Sequence, residues 1–171
     1  MELLQETIAE IQGQDIPKVD DTQIDLPVTA FIPGDWITDP DEKINAYRIA
    51  TQCENNEALL QFASNLIDRY GVLPKAVESL LEVMKLKIIA KKCGFSRIKL
   101  SKPNLELETM MDEPAFKVLR NGLASHLHGR FIYKKGDRCS TVTIRGLGIL
   151  HSDKLLEQLI EWLKLMSSQI N

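Results

Sequence analysis

A chain of 171 residues with 44% hydrophobic side chains carries enough apolar surface for a self-sufficient core, and one domain is expected. Three cysteines, Cys53, Cys93 and Cys139, are odd in number and widely spaced, which excludes a disulfide framework and paired metal ligands and leaves three reduced thiols. No apolar run approaches bilayer length, and the acidic residues 1–10 do not form a signal peptide, so a soluble, cytoplasmic protein is expected. The net charge of −3 conceals an asymmetry. Residues 1–80 hold 15 acidic and 5 basic side chains, and residues 81–171 hold 9 and 16. Charged partners and plain solvated surface both fit that division.

In chain order, Leu4, Ile8 and Ile11 recur at helical spacing over residues 1–12, a stretch too short to be a stable helix alone in water. Residues 13–23 are polar, contain Pro17 and show no period, as a linker does. Residues 24–30 alternate like a strand, but Pro27 has no N–H for a ladder, which predicts an edge strand ended by Pro33 and Gly34. Asp39, Pro40, Asp41 and Glu42 read as the cap and first turn of a helix rather than a cluster for a hard metal ion. Ile44, Tyr47 and Ala50 should form its buried side. Asn55 or Asn56 should cap the next helix.

That next helix organises the chain. Leu59, Phe62, Ala63, Leu66 and Tyr70 make one buried stripe, and Gly71 stops it. Pro74 then suits the first turn of a partner helix, on which Val77, Leu80, Leu81, Met84 and Ile88 continue until Gly94. Beyond Gly94 the period becomes two. Residues 95–100 and 105–108 predict two strands around a Pro103-Asn104 turn, and residues 130–133 and 141–145 predict a hairpin. Asp112 should cap a helix bearing Phe116, Leu119 and Leu123. Ser152 should cap a terminal helix bearing Leu155, Leu159, Trp162, Leu163 and Met166. The fold class is α+β: an N-terminal helical hairpin region plus a small antiparallel sheet packed with helices.

Chemistry is sparse. No G-x-x-x-x-G-K-[ST] loop is present, and Gly146-Leu147-Gly148 reads as a strand-to-helix turn. His126 and His128 have no acid or cysteine nearby to complete a metal site, and helix capping near Gly129 suits them better. Cys139 and Ser140 have no base placed by sequence. No catalytic residue, metal site or cofactor is expected. Two basic groups are candidate nucleic-acid contacts: Lys85, Lys87, Lys91 and Lys92, and Lys134, Lys135, Arg138 and Arg145 with Phe131 and Tyr133 for base stacking. A sequence pI near 5.7 opposes this alternative.

The run L-I-D-R-Y-G-V-L-P at residues 66–74, the K-K-C-G-F at 91–95, the I-D-L-P-V-T-A-F-I-P-G-D-W-I at 24–37 and the Y-R-I-A at 47–50 resemble the C-terminal domain of bacterial transcription-repair coupling factors. The resemblance is closest over residues 25–95. It implies that residues 1–23 are the end of an upstream helix with its linker and that residues 24–171 are the C-terminal domain. The parent would be an ATP-driven DNA translocase that removes stalled RNA polymerase and recruits UvrA. This fragment itself would be no enzyme. The resemblance further implies an autoinhibitory latch, which packs on the UvrB-like N-terminal module of the same protein and hides its UvrA-binding surface. Asp68 matches an acid of the family's I-D-R-[FY]-G turn. Asn65 stands where many relatives carry a glutamate, which implies either a weaker latch or support from elsewhere, for instance Glu54 or Glu57. No specific DNA contact and no membrane contact are implied.

Overall fold

Where each helix starts and stops follows from its caps. The computed structural model of the chain describes residues 16–170, so the spacing of Leu4, Ile8 and Ile11 lies outside the described residues. The chain divides into two units, Pro27–Ile88 in one and, among the described residues, 16–26 with 89–170 in the other.

In the Pro27–Ile88 unit, α1 (Pro40–Gln52) starts where Asp39 Oδ1 accepts the Asp41 N–H at 2.9 Å, with Asp41 and Glu42 in the first turn beside the positive end of the helix dipole. Its buried side is Ala46 and Ala50, whereas Ile44 is 66% exposed, contrary to the expected stripe. The stripe follows four-residue spacing through two alanines, whose small size lets the helix approach closely. Half-buried Tyr47 accepts the Ile32 N–H at 2.7 Å through its hydroxyl. Asn55 Oδ1 caps α2 (Asn56–Tyr70) by accepting the Ala58 N–H at 2.8 Å. Leu59, Phe62 and Leu66 are buried as the stripe predicts. At Gly71 φ is +91°, a left-handed value that a side chain makes costly, and its N–H closes on the Ile67 carbonyl at 2.9 Å. Pro74 sits just ahead of α3 (Lys75–Lys92) rather than inside its first turn, because its carbonyl accepts the N–H groups of Val77 and Glu78, both at 3.0 Å. Val77 and Leu80 join Ile32, Ile37 and the α2 stripe in one core, with Leu81, Met84 and Ile88 packed against it.

The second unit is a five-stranded sheet with its helices. Its strands are β1 (Gln23–Asp25), β2 (Phe95–Ser101), β3 (Asn104–Thr109), β4 (Phe131–Lys134) and β5 (Ser140–Ile144), in the order β1-β2-β3-β5-β4. All pairs are antiparallel except β1 with β2, which run parallel. The predicted edge strand over 24–30 is therefore shorter and starts one residue earlier, ending two residues before Pro27, which cannot donate to a ladder. Residues ahead of β1 also pack on the sheet: buried Thr22 donates its hydroxyl to the Phe95 carbonyl at 2.8 Å.

Ile98, Leu105, Leu107, Phe131, Val142 and Ile144 are buried along the strands, and Phe116, Leu119, Leu155, Leu159, Leu163 and Met166 are buried on α4 (Glu113–Arg120) and α5 (Ser152–Ser167). Aromatic contacts join the two layers. Phe116 stacks on Tyr133 at 5.8 Å, and Trp162 meets Phe131 edge-on at 5.5 Å. Asp112 caps α4 through the Ala115 N–H as predicted. Ser152 does not cap α5; the capping position falls at His151, whose side chain makes no capping bond. The His128 side chain likewise does not cap its own 3-10 turn, whose end is closed by the Phe131 N–H on the His128 carbonyl, and its Nε2 lies 3.0 Å from the Leu123 carbonyl.

Cys93 sits in this core with its thiol 3.5 Å from the Leu163 carbonyl. Burial pushes the thiol up from its ordinary 9.0 to about 12, opposed by the nearby Lys92 charge. The unfolded chain thus loses this proton first as pH rises. The stabilisation is complete below pH 9.0 and is lost as pH climbs toward about 12. Urea midpoints measured across that window should fall less for Cys93→Ala than for the parent chain; identical slopes would remove Cys93 from the account.

Candidate interaction surface

The four residues singled out for partner contact lie on or beside α2, all of them exposed. Glu57 and Asp68 are eleven residues apart, three helical turns, so they stand on one line about 16 Å long. Asn65 precedes Asp68 by one turn and accepts a hydrogen bond from Gln61 Nε2 at 3.1 Å. Glu54 lies just ahead of the Asn55 cap, off the helix. The structure therefore brings Glu57 and Asp68 onto one face, puts Asn65 at its border and leaves Glu54 at its entrance.

Asp68 makes no hydrogen bond or ion pair among the described residues. Its neighbour Arg69 is committed elsewhere, bonding Glu42 Oε1 at 2.7 Å and lying over the Tyr70 ring at 5.5 Å. Tyr70 donates to Glu42 Oε2 at 2.9 Å, and burial together with that bond raises its pKa. The last turn of α2 thus neutralises its own cation and leaves its acid open. Beside the acids, Leu60 is 60% and Ile67 47% exposed, seven residues apart on one flank of the helix. Sequence reasoning missed both. Their signal was phase, since each falls outside the stripe set by Leu59, Phe62 and Leu66.

The second basic group does not form one patch. Lys134, Lys135 and Arg138 stand at the tip of the β4–β5 hairpin, while Arg145 follows β5 at its far end, where its N–H donates to the Arg130 carbonyl. Phe131 and Tyr133 point inward, and the Tyr133 hydroxyl is engaged by the Met111 carbonyl and Ser140 Oγ, both at 2.8 Å. Phe131 is buried against Trp162, and Tyr133 is half-buried with its ring stacked on Phe116. Among the described residues no group of three or more His, Cys, Asp or Glu side chains could hold a metal ion, and no helix is long and apolar enough to cross a membrane.

What these units define is an α+β domain presenting an acidic helix face with two exposed aliphatic side chains. The family model for the TRCF domain matches residues 26–116, more than half of the chain, and the chain belongs to that family. It is 36% identical over 88 residues to a transcription-repair-coupling factor of Myxococcus xanthus, covering 51% of this chain and 7% of that protein. It is 33% identical over 123 residues to the one of Bacillus subtilis, covering 68% and 10% respectively. The chain thus spans about a tenth of the length of these curated relatives. A crystal structure of the C-terminal domain of transcription-repair coupling factor shares the fold, with a TM-score of 0.70 at 16% identity, covering 90% of this chain and 96% of that one.

Proposed function

We propose that this chain is a non-catalytic regulatory domain of a DNA repair translocase that acts in transcription-coupled repair. Residues 24–171 form its C-terminal domain, reached through residues 1–23. It packs on the UvrB-like N-terminal module of the same polypeptide and masks the surface that UvrA would bind, so that UvrA and RNA polymerase are reached only through the parent protein in the cytoplasm. The observation that carries this reading is Asp68, which matches the family's motif acid and stands unpaired on an exposed helix face while the adjacent Arg69 is withdrawn into a pair with Glu42. An unpaired acid at the C-terminal end of a helix opposes the dipole, so its place is better explained by a cation on a partner than by a contribution to α2.

In a latched protein only the open fraction binds the masked partner, and the apparent affinity falls by that fraction. Removing one member of a charge pair that docking buries costs about 2–5 kcal/mol, and roughly 1.4 kcal/mol is a factor of ten. Asp68→Ala in the full-length protein is therefore expected to tighten UvrA binding by about tenfold or more, and deleting residues 24–171 at least as much. UvrA affinity measured for the three proteins decides the matter. No gain on deletion removes masking; a gain on deletion alone keeps masking and refutes the role of Asp68. The alternative of an accessory nucleic-acid-contacting domain retains its exposed lysines, but of its two rings Phe131 is buried and Tyr133 is half-buried against Phe116.

A further inference from the structure

Between the tip of the β4–β5 hairpin and the start of α4 lies a cleft of about 380 Å³. Its apolar lining comes from Met110, Met111, Pro114 and Tyr133. Met110 is 66% exposed, an unusual placement for a large flexible thioether, and one suited to moulding against varied side chains. Tyr133 is fixed beneath by its stack on Phe116 and by its two hydroxyl bonds, so the floor is rigid while Met110 can adapt.

The two charged walls differ in how they are satisfied. On the α4 side, Asp112 is spent as the helix cap and Glu113 pairs with Lys117 at 3.8 Å. On the hairpin side, Lys135 and Arg138 are exposed and make no ion pair among the described residues. The loop that carries them is tightly folded: a Cβ on Gly136 would collide with the Cys139 carbonyl oxygen. The cleft therefore offers an apolar floor under two uncommitted cations.

We infer that this cleft is a docking site for a short acidic segment of a protein partner, one that seats a large apolar side chain on Met110 and Tyr133 and sets its carboxylates against Lys135 and Arg138. Nucleic acid fits less well. A phosphate backbone carries charge at every step and would run past Asp112 and Glu113 as well, whereas a peptide can confine its carboxylates to the Lys135 and Arg138 wall; the one aromatic ring in the lining, Tyr133, is half-buried and already stacked on Phe116. The site is separate from the α2 face and does not depend on Asp68.

The test uses the 171-residue chain and a fluorescein-labelled decapeptide in which leucine and phenylalanine are set among glutamates. The controls are the same peptide with glutamines, the same peptide with lysines, and a single-stranded oligonucleotide of similar length. Anisotropy titration should show saturable binding of the acidic peptide, weakened at least about tenfold by Lys135→Glu with Arg138→Glu and severalfold by Met110→Ser, with Asp68→Ala unchanged. Amide shifts in an NMR titration should centre on residues 110–114 and 133–140. All of these substitutions are at exposed positions, so unfolding midpoints should stay at the parental value. The proposal is overturned if the acidic peptide does not saturate, if the glutamine or lysine peptide binds as tightly, or if the cleft substitutions leave binding unchanged. Tighter binding of the oligonucleotide, lost in the double variant, would overturn it in favour of a nucleic-acid contact.

Discussion

Replacing Trp162 with alanine is expected to lower the unfolding free energy by about 3–5 kcal/mol, the range for removing a buried tryptophan or phenylalanine. Trp162 is buried on α5, meets Phe131 edge-on at 5.5 Å and lies under the Arg130 guanidinium at 5.1 Å. That guanidinium donates through Nε and Nη2 to the Arg145 carbonyl, at 3.0 and 2.9 Å, so the ring also braces the end of β5. Urea denaturation followed by far-ultraviolet circular dichroism measures the loss without relying on indole fluorescence. Trp162→Phe keeps an aromatic contact with Phe131 and should cost clearly less. A loss below about 1 kcal/mol for the alanine variant, the level of an ordinary surface change, would show that Trp162 is not the brace described.

Phe62→Ala should cost a similar amount, about 3–5 kcal/mol, in the Pro27–Ile88 unit. Phe62 sits in the core with Leu59, Leu66, Val77 and Leu80, and truncation leaves a cavity that rigid helices fill only partly. The informative comparison is Leu60→Ala, two residues away on the same helix, which should change stability by less than about 0.5 kcal/mol because its side chain is already in water. The pair tests the facing of α2 and hence the face assigned to Asp68. Equal losses at both positions would mean that the helix is rotated and that its acids do not form an open surface.

The helices were legible wherever local chemistry sets them. Asp39, Asn55 and Asp112 cap as expected because an Asx side chain ahead of a helix competes with no distant alternative for the first N–H groups. The α2 stripe was legible because Leu59, Phe62 and Leu66 are large and unambiguous in phase. Ile44 misled because hydrophobicity was read as burial, while the contact was made by Ala46 and Ala50, whose value lies in being small. Ser152 misled for a related reason: a serine one residue past the true cap carries the same composition signal as a cap. In the interaction surface, Asp68 and Glu57 were found by motif and charge, whereas Leu60 and Ile67 required knowing which side of the helix meets water.

Local pattern was enough for the α+β class, the helices capped by Asp39, Asn55 and Asp112, the turn at Gly71 and the hairpins, since each depends on residues within a few positions of one another. It also carried the family in its motifs. Long-range packing, by contrast, sets the parallel pairing of β1 with a strand some seventy residues later, the inward turn of Phe131 and Tyr133, and the separation of Arg145 from Lys135 and Arg138. Those outcomes rest on which elements meet across the sheet. The free energy of such meetings comes from apolar area buried between distant residues, a quantity that no local pattern specifies.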